Sequence, residues 1–172
     1  MENGQIMVAG REDIAALELL VNSAYRGDAA RQGWTHESDL LDGQRIDAEG
    51  VAAILENANN TLLKYTENGQ ILGCVCLERK GDHMYLGMLT TNPAYQGLGI
   101  GKALLQAGES HAAKLGCTVV EMTVITDRAE LMAWYERHGY RNTGKLKPFP
   151  SDNPKVGKPL KNLEFVVLEK AI

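Results

Sequence analysis

The residues most able to do chemistry begin at Tyr95-Gln96-Gly97-Leu98-Gly99-Ile100-Gly101-Lys102, three glycines within five positions between a strand-like run and a helical one. Glycines at this spacing let the backbone turn so that several N–H groups converge. With the positive end of a helix behind them, they suit a phosphate or pyrophosphate. Two nucleotide-binding patterns fail here. A P-loop needs Gly where Gln96 stands and Ser or Thr where Ala103 stands. A dinucleotide fingerprint begun at Gly97 would need a third Gly at Lys102, and it should follow the first strand of a βαβ unit.

The second group is Tyr135-Glu136-Arg137-His138-Gly139-Tyr140, at the end of a helical run that Gly139 stops. By itself a tyrosine there fills a core beside Trp134 and Tyr140. Gln96-x-x-Gly99-x-Gly101 at a strand-to-helix junction, with Tyr135 and Gly139-Tyr140 further on, resembles the GNAT superfamily of N-acetyltransferases. The resemblance covers about Thr61–Tyr140.

That resemblance implies an α/β (α+β) fold with a central, mostly antiparallel, splayed sheet flanked by helices. It also implies transfer of an acetyl group from acetyl-CoA to a primary amine by direct attack. The coenzyme would lie against Gln96, Gly97, Leu98, Gly99, Ile100, Gly101 and Lys102. The thioester carbonyl would meet the strand end at Leu89, Thr90 and Thr91, and Tyr135 would protonate the departing thiolate. Family members usually place Asn and Ala seven and four residues before the tyrosine. Arg128 and Leu131 stand there instead, so a coenzyme contact from Arg128 would be cationic.

Many relatives carry a base as Glu on the strand before the glycine loop, yet Met84–Thr91 has no carboxylate. Candidates elsewhere are Glu121, His83, Glu37 and Asp39, or a base acting through water. The segment Trp34-Thr35-His36-Glu37-Ser38-Asp39 is expected to form the acceptor pocket. Trp34 would be its aromatic wall and Glu37 an attraction for a cationic amine. A helix start with Thr35 as N-cap is the other reading of the segment. An alternative function is a non-catalytic acyl-CoA-binding or regulatory domain of the same fold, favoured by the missing strand carboxylate and disfavoured by Tyr135.

In the rest of the chain, Gln5–Ala9 reads as a strand and Arg11–Tyr25 as a helix with Ile14, Leu17, Leu20, Val21 and Ala24 on one face. Gly27–Gly43 reads as a long loop and Asp47–Ala58 as a second helix. Asn68-Gly69 then joins two strands, Thr61–Glu67 and Gln70–Arg79, in a hairpin, and Met84–Thr90 adds a third. Helix Gly99–Leu115, strand Thr118–Ile125, helix Arg128–His138, a strand from Arg141 and a last strand Leu163–Glu169 follow. Lys147–Pro159, with four of the five prolines, is expected to be loop.

One domain over residues 1–172 fits the length and the 44% hydrophobic, 23% charged composition. Lys and Arg number 18 against 22 Asp and Glu, a net charge of −4 that argues against nucleic-acid coating. The basic residues from Arg137 to Lys161 read as a solvated face. No apolar run approaches the roughly 20 residues of a membrane span, and the N-terminus lacks a signal-peptide layout. Three cysteines, with Cys74 and Cys76 on one side of a strand, suggest reduced thiols and a cytoplasmic setting. Their spacing is not that of a zinc site, so no metal is expected. The expected partner is a small-molecule or peptide amine, and a homodimer is common in the resembling family.

Overall fold

The computed structural model describes residues 4–25, 37, 41–42, 45–149, 158–160 and 163–172. Seven strands form one sheet in the order β1-β3-β4-β5-β6-β9-β7. They are β1 Gln5–Val8, β3 Asn60–Glu67, β4 Gln70–Lys80, β5 His83–Thr91, β6 Val119–Ile125, β7 Arg141–Pro148 and β9 Glu164–Ala171. All neighbours pair antiparallel except β5 and β6. The helices are α1 Ile14–Tyr25, α2 Ala48–Glu56, α3 Ile100–Lys114 and α4 Ala129–Arg137.

The apolar pattern assigns each helix to a face. Leu17, Leu20 and Val21 of α1 and Val51 of α2 pack on Leu62, Cys74 and Met88. On the other face, Leu104, Leu105 and Ala112 of α3 and Tyr135 of α4 pack on Leu77, Leu86, Val120 and Leu168. The Asp47 carboxylate caps α2 by accepting from Gly50 N at 2.7 Å. Gly73 admits the first turns of α3 to the sheet. A Cβ there would stand 2.8 Å from the Thr90 carbonyl and 2.9 Å from Ile100 and Leu104.

Two features of the sheet create the site. The parallel pairing of β5 with β6 covers only His83–Tyr85 against Val119–Glu121, after which the strands diverge. Parallel neighbours joined through α3 can separate in this way, whereas a hairpin could not. On the other edge of β5, the register passes from Cys74↔Thr90 to Cys76↔Gly87, so Val75 faces both Met88 and Leu89. Met88 takes φ 53°, a left-handed backbone rare outside glycine, and its bulge re-aims Leu89 and Thr90.

Lys147–Pro159 is not wholly loop. β7 extends through Pro148, which pairs with Glu164 at the open edge of the sheet, where a missing N–H is tolerated. Lys158–Pro159 forms β8, which pairs with β2, Leu41–Asp42, inside the expected early loop. Strand β9, last in sequence, lies between β6 and β7. No helix among the described residues is long and apolar enough to cross a membrane.

Candidate active site

Two cavities open on either side of the strand divergence. The first, about 340 Å³, is lined by the glycine loop and α3 N-terminus, by Leu89–Thr91, and by Arg128, Trp134, Tyr135 and His138. The second, about 360 Å³, lies on the α1/α2 face and takes in Glu37, Arg45, Cys76, Glu78, Tyr85 and Phe149. Tyr25, Leu89, Arg128, Leu131 and Tyr135 line both, so these residues form the wall between them.

The loop geometry follows from its glycines. Gly97 and Gly99 take φ 82° and 86°, and a Cβ on either would meet nothing within 4 Å beyond its chain neighbours. Gly99 is the N-cap of α3, so the orphan N–H groups of the first helical turn face the cavity. Among the described residues, Lys102, Arg128 and His138 are the cationic types in this lining, and no described residue contributes a carboxylate to it. The second cavity differs in this respect, since Glu37 and Glu78 both line it.

Tyr25 and Arg128 organise the shared wall. The Tyr25 hydroxyl donates to the Leu89 carbonyl at 2.8 Å, which fixes the bulged strand to α1. Arg128 Nη1 donates to Glu37 Oε2 at 3.0 Å, and both side chains are buried. The guanidinium also lies 5.9 Å from the Tyr25 ring centroid. Thr90, buried under the bulge, donates from Oγ1 to the Met88 carbonyl at 2.9 Å.

Tyr135 is buried and meets Trp134 edge-on at 5.2 Å and Tyr140 at 5.8 Å. Burial pushes its phenol well above the ordinary tyrosine value, the nearby Tyr25 adds to the shift, and Arg128 opposes it. The hydroxyl therefore keeps its proton at neutral pH and can give it to a stronger base formed beside it. His138 ends α4, and its Nδ1–H donates to the Trp134 carbonyl at 2.7 Å, which leaves Nε2 as its second ring nitrogen.

The sequence pattern of the Acetyltransferase (GNAT) family matches residues 22–140, from the end of α1 through Tyr140. The chain belongs to the GNAT acetyltransferase family. Its fold is similar to that of ribosomal-protein-S18-alanine N-acetyltransferase from Escherichia coli, with TM-score 0.73 and 16% identity over 99% of this chain and 94% of that one. Ribosomal-protein-alanine N-acetyltransferase from Brucella melitensis gives TM-score 0.72 and 19% identity over 98% and 99% of the two chains. PaiA N-acetyltransferase from Thermoplasma acidophilum, solved with coenzyme A, gives 0.71 and 16% over 99% and 100%. At these identities the likeness establishes the fold.

This GNAT chain brings most of the expected site residues together. Leu89, Thr90, Thr91, Gln96, Gly97, Gly99, Ile100, Gly101, Lys102, Arg128 and Tyr135 all line the first cavity. Leu98 turns outward and is 71% exposed. Arg128 reaches the wall between the cavities, with its guanidinium bonded to Glu37. Glu121 lines neither cavity; its carboxylate stands 3.1 Å from His83 Nδ1. Trp34 and Asp39 lie outside the described residues.

Four contributors escaped the sequence. Tyr25 closes α1 one residue beyond the apolar face, and Arg45 lies between the expected elements. Glu78 alternates with Cys76 on β4, a period-2 signal that could have placed it on the α1/α2 face. The Met88 bulge has no sequence sign.

Proposed function

We propose that this GNAT protein transfers the acetyl group of acetyl-CoA to a primary amine by direct attack, without an acyl-enzyme. The observation that carries this reading is the meeting of two chemically different cavities at one wall formed by Leu89 and Tyr135. The fit to the coenzyme rests on the glycine loop, whose open Cβ positions leave room for a phosphate against the backbone. Bound acetyl-CoA would supply an activated thioester at that wall.

The chain's own groups then have distinct tasks. Backbone N–H groups of about Gln96–Lys102 hold the pyrophosphate, and Lys102 adds charge at its side. The β5 edge at Leu89–Thr90, beyond the last pairing with β6, offers main-chain donors to developing oxyanion charge. Tyr135 holds a proton at the departing sulfur. Proton removal from the amine falls to a carboxylate of the second cavity acting through water, with Glu78 and Glu37 as the carboxylates that line it.

Cys74, Cys76 and Cys117 are all free. Burial pushes the Cys74 and Cys76 thiols up to about 12 and about 11, so neither offers a thiolate relay at neutral pH. Free thiols fit a reducing, cytoplasmic setting.

The test is release of coenzyme A thiol from acetyl-CoA in the presence of amino acids, polyamines, amine antibiotics and peptides with free N-termini. Amine-dependent release is expected for one class. Acetyl-CoA binding without release for any class would instead support the non-catalytic acyl-CoA-binding reading.

A further inference from the structure

The charges around the second cavity are not equivalent. Glu37 and Arg128 are bonded to each other, so each offsets the other's charge. Arg45 stands apart, with no ion pair among the described residues, and its guanidinium lies 5.4 Å from the Tyr25 ring centroid. Its backbone is held firmly: Asn22 Oδ1 accepts from Arg45 N at 2.6 Å and from Ile46 N at 3.1 Å, while Asn22 Nδ2 donates to the Ile46 carbonyl at 2.8 Å. This clamp from α1 aims Arg45 at the tyrosine whose hydroxyl bonds Leu89, close to the strand divergence.

Glu78 occupies the other end. It faces Tyr85 across the β4–β5 ladder, before the strands separate. The same lining carries apolar surface from Ile46, Ile54 and the Phe149–Phe165 pair, whose ring centroids are 5.2 Å apart. A cationic polyamine would meet Arg45 with like charge near the reacting wall. A carboxylate would find it complementary, because guanidinium and carboxylate pair in a planar, two-point fashion. Glu78 repels an anion from the inner end and so fixes the orientation.

We propose that the second cavity takes an apolar amino acid with a free carboxylate, which Arg45 holds while the amino group faces Leu89 and Tyr135. The assignment rests on the acetyltransferase reading only in treating this cavity as the acceptor's. It departs from the expectation of a cationic amine drawn by Glu37, whose charge Arg128 offsets.

The test is calorimetric titration of the coenzyme A-loaded protein with methionine and phenylalanine, with their carboxamides, and with the corresponding decarboxylated amines. The amino acids are expected to bind at least tenfold tighter than either neutral-ended series. Arg45→Gln should abolish that difference with its melting temperature kept, and Arg45→Lys should restore part of it. Equal binding of the three series, no binding of either amino acid, or a preference that survives in Arg45→Gln would overturn the proposal. The two readings fail separately. Carboxylate-dependent binding without thiol release counts against acetyl transfer alone, and thiol release confined to carboxamides or simple amines counts against Arg45 alone.

Discussion

Glu37 and Arg128 meet at 3.0 Å across 91 residues of sequence, and each is less than one-tenth exposed. Arg128 is anchored at the N-cap of α4, while the Glu37 backbone N–H donates to the Tyr25 carbonyl at 2.8 Å. The pair therefore joins α1, α4 and the segment between α1 and α2 at the wall between the two cavities. It gives both side chains a structural task besides any contact with ligand.

Removal of one partner should leave the other's buried charge without this bond. Arg128→Met or Glu37→Leu alone is expected to lower unfolding free energy by about 3–5 kcal/mol, and the double variant by less than either. Urea denaturation of the three variants checks this. Independent, additive losses would show that the pair does not act as a unit.

Tyr135→Phe keeps the ring against Trp134 and Tyr140 and removes only the hydroxyl. Turnover is expected to fall by about 100-fold with coenzyme affinity unchanged. Because burial raises the phenol, wild-type turnover should show no loss from its ionisation as pH rises to about 10, the ordinary tyrosine value. Single-turnover kinetics of wild type and variant at several pH values provide the measurement; an unchanged chemical step would return Tyr135 to a packing role.

Gly99→Val places a branched side chain at φ 86° on a residue that lines the cavity, in space that nothing beyond its chain neighbours fills within 4 Å. The left-handed backbone costs a non-glycine residue about 1–2 kcal/mol, and the side chain would occupy the phosphate's place. Acetyl-CoA binding should be lost by calorimetry while circular dichroism stays native. Wild-type affinity in the folded variant would remove the loop from the coenzyme site.

Asp13 accepts from Lys64 Nζ at 2.8 Å and from Gly10 N at 2.9 Å. Partial burial would raise its carboxyl, but the Lys64 hydrogen bond, the Gly10 N–H and the Lys64 charge together hold it below the usual value. A depressed folded value stabilises the native state above the unfolded value of about 4, and the benefit disappears as pH falls through the folded value. Asp13→Asn should therefore lower the melting temperature at pH 7 and converge on wild type in strong acid. A parallel offset at every pH would show that the contribution is not ionic.

Cys76→Ala should keep turnover within a few-fold, since its thiol, pushed up to about 11, stays protonated at pH 7. A loss of two or more orders of magnitude, with coenzyme binding intact, would point to a sulfur relay.

The sequence by itself determined what depends on local rules. Asn68-Gly69 joins the hairpin because both residues take positive φ, and Gly116 and Gly139 end helical runs because both adopt the left-handed backbone. The glycine loop is local in the same sense: its glycines must lie next to the helix they cap. Tyr135 was singled out through the family resemblance of Tyr135 and Gly139-Tyr140, and it lines the first cavity. Tertiary structure alone decided which distant edges meet. The insertion of β9 between β6 and β7, the β2–β8 pairing and the Glu37–Arg128 bond each join segments far apart in sequence. Nothing local marks Met88 for φ 53°, because that angle is imposed by pairings on either side of the bulge, Cys74 with Thr90 and Cys76 with Gly87. Backbone conformation in the loops follows from residue type, but the wall between the cavities is assembled from side chains whose positions exist only once the sheet has closed.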